Sequence, residues 1–136
     1  MGKLLERLKD PSRSGAYRVT RDAEVVDAVR EGGLRSQSVS LKGAATKAEL
    51  MERIAGALKF PEWFGGNWDA LEDCLTETRG YLLFRDFEGL GTDDLGVLLD
   101  VLASVAGFWS ERGEPFFAVF IDPQRKLRAR ELFREA

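Results

Sequence analysis

Residues 60–76 read FPEWFGGNWDALEDCLT, and this stretch sets the layout of the chain around it. Pro61 disfavours helical backbone at the residue before it, so a preceding helix must end there. The glycine pair at 65–66 permits a flexible bend. Asn67 is a strong N-cap residue, which makes Trp68 the first residue of a new helix. The sequence therefore predicts an aromatic loop that leads directly into a helix.

The helix predicted after Asn67 has two different faces when its residues are placed at about 3.6 per turn. Its apolar face consists of Trp68, Leu71 and Leu75, with Cys74 at the margin. Its outward face consists of Asp69, Asp73 and Thr76, flanked by Glu72. We expect the first face to be buried in the core and the second to meet solvent.

Acidic residues dominate this region, since residues 60–77 contain five acids and no Lys or Arg. They are Glu62, Asp69, Glu72, Asp73 and Glu77. Stabilisation of the helix dipole, worth about 0.3–1 kcal/mol in the first turn, explains Asp69 taken alone. Asp73 lies beyond that turn, and each like-charge neighbour costs roughly a few tenths of a kcal/mol. The alternatives are a solvated helix start and a surface that binds something positively charged.

The two loop aromatics, Trp63 and Phe64, have two alternative uses. An aromatic residue in a loop commonly folds back onto the core. The same residue displayed beside carboxylates is typical of a protein-binding hot spot. The sequence leaves open which of the two residues does which.

This window resembles the barstar family, the intracellular inhibitors of barnase-type ribonucleases. The matching elements are FPEWFGGN at 60–67 and DALEDCLT at 69–76. The family pattern is an apolar residue, Pro, an acid or similar residue, two aromatics, Gly, any residue and Asn. It continues with an apolar residue, Asp-Ala-Leu, any residue and Asp-Cys-Leu-Thr. Weaker similarity in the order and spacing of elements extends from about Gln37 to Asp122.

The resemblance implies a binding site as well as a fold. In the family, this loop and helix plug the active site of the ribonuclease. Asp73 would lie where the substrate phosphate normally sits, held by the enzyme's Arg, Lys and His groups, and Asp69 would add a second acidic contact. Trp63 matches the loop aromatic that covers the enzyme's catalytic group, while Asn67 and Thr76 match contacts at the edges. The implied partner-binding residues are Trp63, Asn67, Asp69, Glu72, Asp73 and Thr76.

Three positions depart from the family pattern. Glu72 stands where barstar has an aromatic residue, and Trp63 stands where it has Tyr. Barstar also places an acid on its last long helix at the interface. Alignment on Gly113 puts Phe108 at that position, with Glu111 nearby but not equivalent. These departures bear on which protein is the partner and leave the phosphate-mimic idea intact.

Periodicity predicts alternating helices and strands along the rest of the chain. Helices are expected at residues 3–9, 22–31 and about 68–78, and between a cap at Thr92 and Gly113. A further helix is expected after a cap at Thr46, with a buried stripe formed by Leu50, Ile54, Ala57 and Leu58. Strands are expected at residues 16–19, 36–41, 81–84 and 116–121. Thr46 and Glu49 match a capping box. Leu127, Leu132 and Phe133 suggest a closing helix.

This alternation indicates an α/β fold. With the resemblance, it predicts a small three-layer barstar-like fold in which a short, mostly parallel sheet of three to four strands is flanked by helices. Residues 1–136 are expected to form a single domain, with a barstar-like core at 36–122. An N-terminal extension at 1–35 would contribute a helix, a short strand and a second helix. A C-terminal helical tail would occupy residues 123–136.

Composition excludes several classes of chemistry. The chain has no His, which removes the commonest general base and metal ligand. Its single Cys, Cys74, allows neither an internal disulfide nor a zinc cluster, and it suits a reducing cytoplasm. Glycine-rich phosphate-binding motifs, a signal peptide and a run of about 18 apolar residues are absent. We therefore expect no cofactor, no metal, no enzymatic activity and no membrane association.

The overall charge of −3 is mild, and the basic residues gather at the end of the chain. Residues 122–136 contain five basic residues against three acids. The alternatives for this tail are a solvated amphipathic helix and a contact to nucleic acid. Phe133 is the single aromatic residue among the basic ones, which does not make an interleaved pattern, so the first is favoured and no nucleic-acid partner is expected.

The leading hypothesis is a cytoplasmic protein, monomeric when free, that inhibits a secreted barnase-like ribonuclease. It would present carboxylates to the cationic active site of that basic protein. The alternative is a barstar-like immunity or adaptor protein for a different basic partner. A metal-dependent hydrolase, in which Asp69 and Asp73 hold magnesium, is the remaining class.

Overall fold

The computed structural model describes residues 3–78, 80–127 and 130–131 of the chain. Its helices are α1 (Lys3–Leu8), α2 (Ala23–Glu31), α3 (Lys47–Leu58), α4 (Trp68–Leu75) and α5 (Thr92–Glu111). Its strands are β1 (Gly15–Val19), β2 (Ser36–Ser40), β3 (Gly80–Arg85), β4 (Phe116–Ile121) and β5 (Arg130–Glu131). Within these ranges, no helix combines the length and apolarity that crossing a bilayer requires.

The strands form one sheet in the order β2-β3-β4-β1-β5. Every pair in the described part of this sheet is parallel. The strand predicted near Ala16 is β1, which pairs with β4 so that Ala16 lies opposite Ala118. The α/β fold class is therefore confirmed, and the two-residue strand β5 is an addition that the sequence did not predict.

The central strand β4 is apolar along its whole length because helices cover both faces of the sheet. Side chains alternate between the faces of a strand. Phe116, Ala118 and Phe120 accordingly pack against α3, α4 and α5, whereas Phe117 and Val119 belong to a second cluster with α1 and α2. The result is the three-layer arrangement that the sequence predicted.

The N-terminal segment supplies the helices of the second layer. Its buried residues there are Leu4 and Leu8 of α1 and Val25, Ala28 and Val29 of α2. The sheet contributes Tyr81, Leu83, Phe117 and Val119 to the same cluster. The Phe117 ring stacks between Tyr17 and Tyr81, with centroid distances of 5.7 Å on both sides. The segment before the barstar-like core is thus part of the hydrophobic interior.

The helix predicted at 123–136 is not found in the described part of this tail. Residues 123–127 form a turn and a bend, and Arg130–Glu131 form β5 beside β1. The backbone turns because the Asp122 carboxylate accepts hydrogen bonds from the Lys126 and Leu127 amides, an alternative to helical bonding. Leu132 and Phe133, on which part of that prediction depended, lie outside the described residues.

The predicted helix ends are close to the observed ones. Thr46 and Glu49 form both bonds of a capping box at α3, as predicted. At α5 the cap is Gly91, and Thr92 is the first helical residue rather than the cap. α4 ends at Leu75 instead of near residue 78, because Thr76 leaves helical backbone and serves as its C-cap.

Tyr81 connects α1 to the sheet, and its titration makes the stability of the fold fall at alkaline pH. Its hydroxyl donates a hydrogen bond to the Leu8 carbonyl. Burial, with a smaller contribution from the charge of Glu114, raises the pKa of Tyr81 from 10.0 to about 12. Folding therefore favours the neutral phenol. Its contribution to stability is complete below pH 10.0 and is lost as the pH rises through about 12.

We expect this titration to be directly visible in Tyr17→Phe, since the chain has two tyrosines and this variant keeps only Tyr81. Tyrosinate absorbance should show a midpoint near pH 12 in the folded variant and near 10.0 in urea, where burial is lost. Circular dichroism on the same samples reports whether the fold persists. A midpoint near 10.0 in the folded variant would contradict the assignment.

Candidate partner-binding surface

The aromatic loop between α3 and α4 separates its two aromatic side chains. Phe64 is half-buried and packs edge-on against Phe60 at a centroid distance of 5.1 Å. Trp63 is 75% exposed. The Phe64 amide closes a turn onto the Pro61 carbonyl at 3.0 Å, and Gly66 takes a φ of 71°. The loop therefore displays Trp63 while Phe64 holds it to the core.

Asn67 joins this loop to α4. Its side-chain oxygen accepts a hydrogen bond from the Ala70 amide at 2.8 Å, which makes it the N-cap that the sequence predicted. Its backbone oxygen accepts from the Leu71 amide at 2.9 Å. Asn67 is also exposed, so it remains accessible to a partner. The residue that the resemblance implies as an edge contact therefore has a structural role as well, since it starts the helix.

α4 has the two faces that its sequence predicts. Leu71 is 0% exposed and Leu75 is 1% exposed. Asp69 and Asp73 are exposed, one turn apart on the opposite side. No salt bridge joins either aspartate to another residue of the described ranges. We call the exposed surface formed by Asp69 and Asp73 the acidic face.

Glu72 and Thr76 are partly engaged within the chain. The Glu72 carboxylate accepts a hydrogen bond from the Ser104 hydroxyl of α5 at 2.7 Å. The Thr76 hydroxyl donates to the Asp73 carbonyl at 2.7 Å. Both residues flank the acidic face, as the sequence suggests. Each of them also stabilises that face, Glu72 by tying α4 to α5 and Thr76 by capping the helix.

The last turns of α5 complete the surroundings of the acidic face. The Trp109 indole donates a hydrogen bond to the Leu75 carbonyl at 3.1 Å, which joins the ends of α4 and α5. Phe108 packs edge-on against Trp109 at 5.1 Å, and the Arg112 guanidinium lies 3.6 Å from the Phe108 ring centroid. The sequence pattern did not mark Ser104 or Arg112 as part of this surface. The four-residue spacing from Phe108 to Arg112 is the signal that could have shown their contact.

Cys74 is buried beside the acidic face and has no sign of a reactive role. Burial raises the pKa of its thiol, and the negative charges of Glu77 and Asp73 add to the increase. The thiol therefore stays protonated at neutral pH, which disfavours nucleophilic attack. Among the described residues, no three side chains of His, Cys, Asp or Glu are grouped so that they could hold a metal ion.

Comparison with known proteins places this arrangement in a family. The family model described as barstar, barnase inhibitor, matches residues 34–121, which is more than half of the 136 residues. The matched part contains the aromatic loop, α4 and α5, and it leaves α1, β1 and α2 outside. A search of the curated proteins found no match. The chain belongs to the barstar family.

Proposed function

We propose that this protein inhibits a barnase-type ribonuclease by placing the acidic face of α4 in the enzyme's cationic active site. One observation carries the proposal: Asp69 and Asp73 are exposed on a single helix face, and no described cation neutralises them. An active site that cleaves RNA must hold a phosphate, and carboxylates form charge-assisted hydrogen bonds with the same cationic groups. Occupation of the site would then exclude RNA.

The residues of the surface take different parts in this proposal. Asp73, in the middle of the acidic face, occupies the position of the substrate phosphate, and Asp69 adds a second carboxylate contact. Asn67 and Thr76 contact the enzyme at the two ends of α4, while Glu72 contacts it from the side next to α5. Because α4 is packed on the core, its carboxylates are held in position before binding, which lowers the entropic cost of association.

Trp63 provides the apolar part of the proposed contact. Large exposed aromatics are enriched among the residues that dominate binding energy. Trp63 is 75% exposed, while its neighbour Phe64 packs against the core and restrains the loop. We place Trp63 over the enzyme's catalytic group, where burial of its indole would shield the carboxylate contacts from water.

The proposal includes a cellular setting. A cell that makes or receives a ribonuclease needs the inhibitor where its own RNA is, so we place the protein in the cytoplasm. The family description names a protein target, barnase. We expect the chain to be a monomer when free and to leave RNA intact by itself, with or without magnesium.

The test is RNA cleavage by purified barnase-type ribonucleases, barnase included, with increasing amounts of the protein. We expect inhibition at one-to-one stoichiometry and an association rate that falls with added salt, since complementary charge accelerates encounter. The protein alone is the control for intrinsic cleavage, and a basic protein without ribonuclease activity is the control for nonspecific attraction. Failure to inhibit any of these ribonucleases at micromolar concentration would reject the proposal.

A second candidate function is an immunity or adaptor role toward a basic protein that is not a ribonuclease. Phe108 favours it, because the resemblance aligns this residue with the position at which barstar carries an interface acid. The same assay separates the two functions. Tight binding of the nonribonuclease protein without any inhibition of RNA cleavage would support this second candidate.

A further inference from the structure

The last turns of α5 lie beside α4 on the side of Glu72, which flanks the acidic face. The two helices run side by side in the same direction, because Ser104 contacts Glu72 and, further along both, Trp109 contacts Leu75. Phe108 follows Ser104 by four residues and therefore projects from the same side of α5. This geometry puts Phe108 next to the C-terminal end of α4.

Phe108 and Arg112 form an organised pair at this position. The Arg112 guanidinium lies 3.6 Å from the Phe108 ring centroid, and its Nη1 donates to the Phe108 carbonyl at 2.9 Å. The same ring packs edge-on against Trp109 at a centroid distance of 5.1 Å. Arg112 is exposed, and no carboxylate in the described ranges forms a salt bridge with it. Its remaining N–H groups are therefore available to an external acceptor.

The charge of Arg112 opposes that of the surface it borders. Residues 60–77 carry five acids and no Lys or Arg, so the acidic face attracts cations. Arg112 repels cations at the edge of the same surface. A uniformly basic partner would meet this repulsion, whereas a partner with a carboxylate at that point would gain a charge-assisted contact.

We propose that Phe108 and Arg112 are a specificity-determining contact that takes a carboxylate of the partner, located next to the partner's cationic site. The inference rests on the proposed function, and it narrows the partner to a ribonuclease whose cationic centre is flanked by an acidic residue. The guanidinium would bind the carboxylate through two N–H groups, and the Phe108 ring beneath would hold the guanidinium in place.

The experiment measures the affinity of Arg112→Glu, Arg112→Gln and Phe108→Ala for barnase-type ribonucleases, barnase included, and for poly-lysine. Arg30→Glu is the matched control, because Arg30 is exposed on α2 in the other helical layer. We expect Arg112→Glu to weaken ribonuclease binding by about 10-fold or more, and the other two variants by about 3-fold. On poly-lysine, which has no acidic side chains, the same Arg112→Glu variant should bind more tightly. Thermal unfolding of each variant verifies the fold.

The sign of the change decides the outcome. Tighter ribonuclease binding by Arg112→Glu, as on poly-lysine, would overturn the proposal, because Arg112 would then be an uncompensated repulsive charge. Equal affinities of Arg112→Glu and Arg30→Glu for an inhibited ribonuclease would overturn it while leaving the proposed function intact. Absence of inhibition by the wild type would reject both. A ribonuclease in which one carboxylate at the rim of the active site is replaced by Lys can be paired with Arg112→Glu. Restored affinity between these two variants would support the proposal and identify the carboxylate that Arg112 contacts.

Discussion

Removal of residues 1–33 is expected to abolish cooperative folding, although this segment lies outside the barstar family match. The deletion eliminates α1, β1 and α2. It uncovers the sheet face formed by Tyr81, Leu83, Phe117 and Val119, each of which is at most 5% exposed in the intact protein. The truncated chain should aggregate or lack a urea transition, as measured by circular dichroism and size-exclusion chromatography.

The magnitude of the loss follows from the size of the uncovered face. Burial of one Leu, Val or Phe side chain is worth about 1.5–3 kcal/mol. Several such residues together match the total stability of a domain, about 5–15 kcal/mol. β1 also lies between β4 and β5, so the deletion turns the most apolar strand into a sheet edge. An unprotected apolar edge invites pairing between molecules.

Two substitutions in α2 test the same idea without removing any chain. Val25 is buried against the sheet, and Asp27, two residues later, is exposed. We expect Val25→Asp to reproduce most of the loss, because it buries an unpaired charge. Asp27→Ala should change stability by no more than about 0.5 kcal/mol. A truncated protein that unfolds cooperatively near the midpoint of the full chain would show that the segment is dispensable.

Local rules account for much of the fold and of the candidate surface. Asn67 as a cap, the capping box at Thr46 and the continuous apolar run at 116–121 each agree with the structure, because the same local pattern serves the tertiary fold. The division of α4 into a buried Leu71 face and an exposed Asp73 face follows from helical spacing in the same way. The position of these elements in a barstar-like order came from the resemblance at 60–76, which local rules alone would not give.

The features that the sequence did not show depend on contacts between distant residues. Nothing in the local sequence distinguishes Ser104 from other helix residues. Its role follows from the packing of α5 beside α4, which brings the Ser104 hydroxyl to Glu72. β5 exists because β1 offers it an open edge, and the bonds of Asp122 to the following amides replace a helix start. The assignment of Trp63 to the surface and Phe64 to the interior likewise depended on where the core lies. The partner-binding roles and the division at residues 35 and 122 stay predictions.

Asp73→Ala is expected to weaken binding to the partner ribonuclease by about 2–5 kcal/mol, which is roughly 30-fold to several thousand-fold. The barnase–barstar complex is itself one of the systems behind this general range for breaking a buried charge pair. The prediction made for this protein is therefore the ranking of Asp73→Ala above the other acid variants, and not the size of the loss. The reason for the large loss is that removal of a desolvated carboxylate leaves several cations of the enzyme unpaired. Competition between inhibitor variants and RNA on the purified ribonuclease measures the change.

Glu62→Ala and Glu77→Ala are the matched controls, since both acids are exposed and lie at the two ends of the same acidic stretch. At the rim their charges stay solvated, so their removal should mainly slow association and should matter less at high salt. Equal losses for all three variants would indicate diffuse charge attraction and would argue against mimicry of a phosphate by Asp73. Unchanged binding of Asp73→Ala would locate the working surface elsewhere.

The stability of the unbound Asp73→Ala variant is a second measurement that tests why Asp73 is present. Ala has a higher helix propensity than Asp, and the change removes the repulsion between Asp73 and Asp69, one turn apart. The Asp73 carbonyl, which accepts the Thr76 hydroxyl, is retained. We therefore expect the free variant to be more stable than the wild type by roughly a few tenths of a kcal/mol in urea unfolding. Stability and affinity would then change in opposite directions. If the Asp73 carboxylate served the fold, its removal would lower both the stability and the affinity. Changes of opposite sign would therefore show that Asp73 is retained for the partner at a cost to the stability of the free protein.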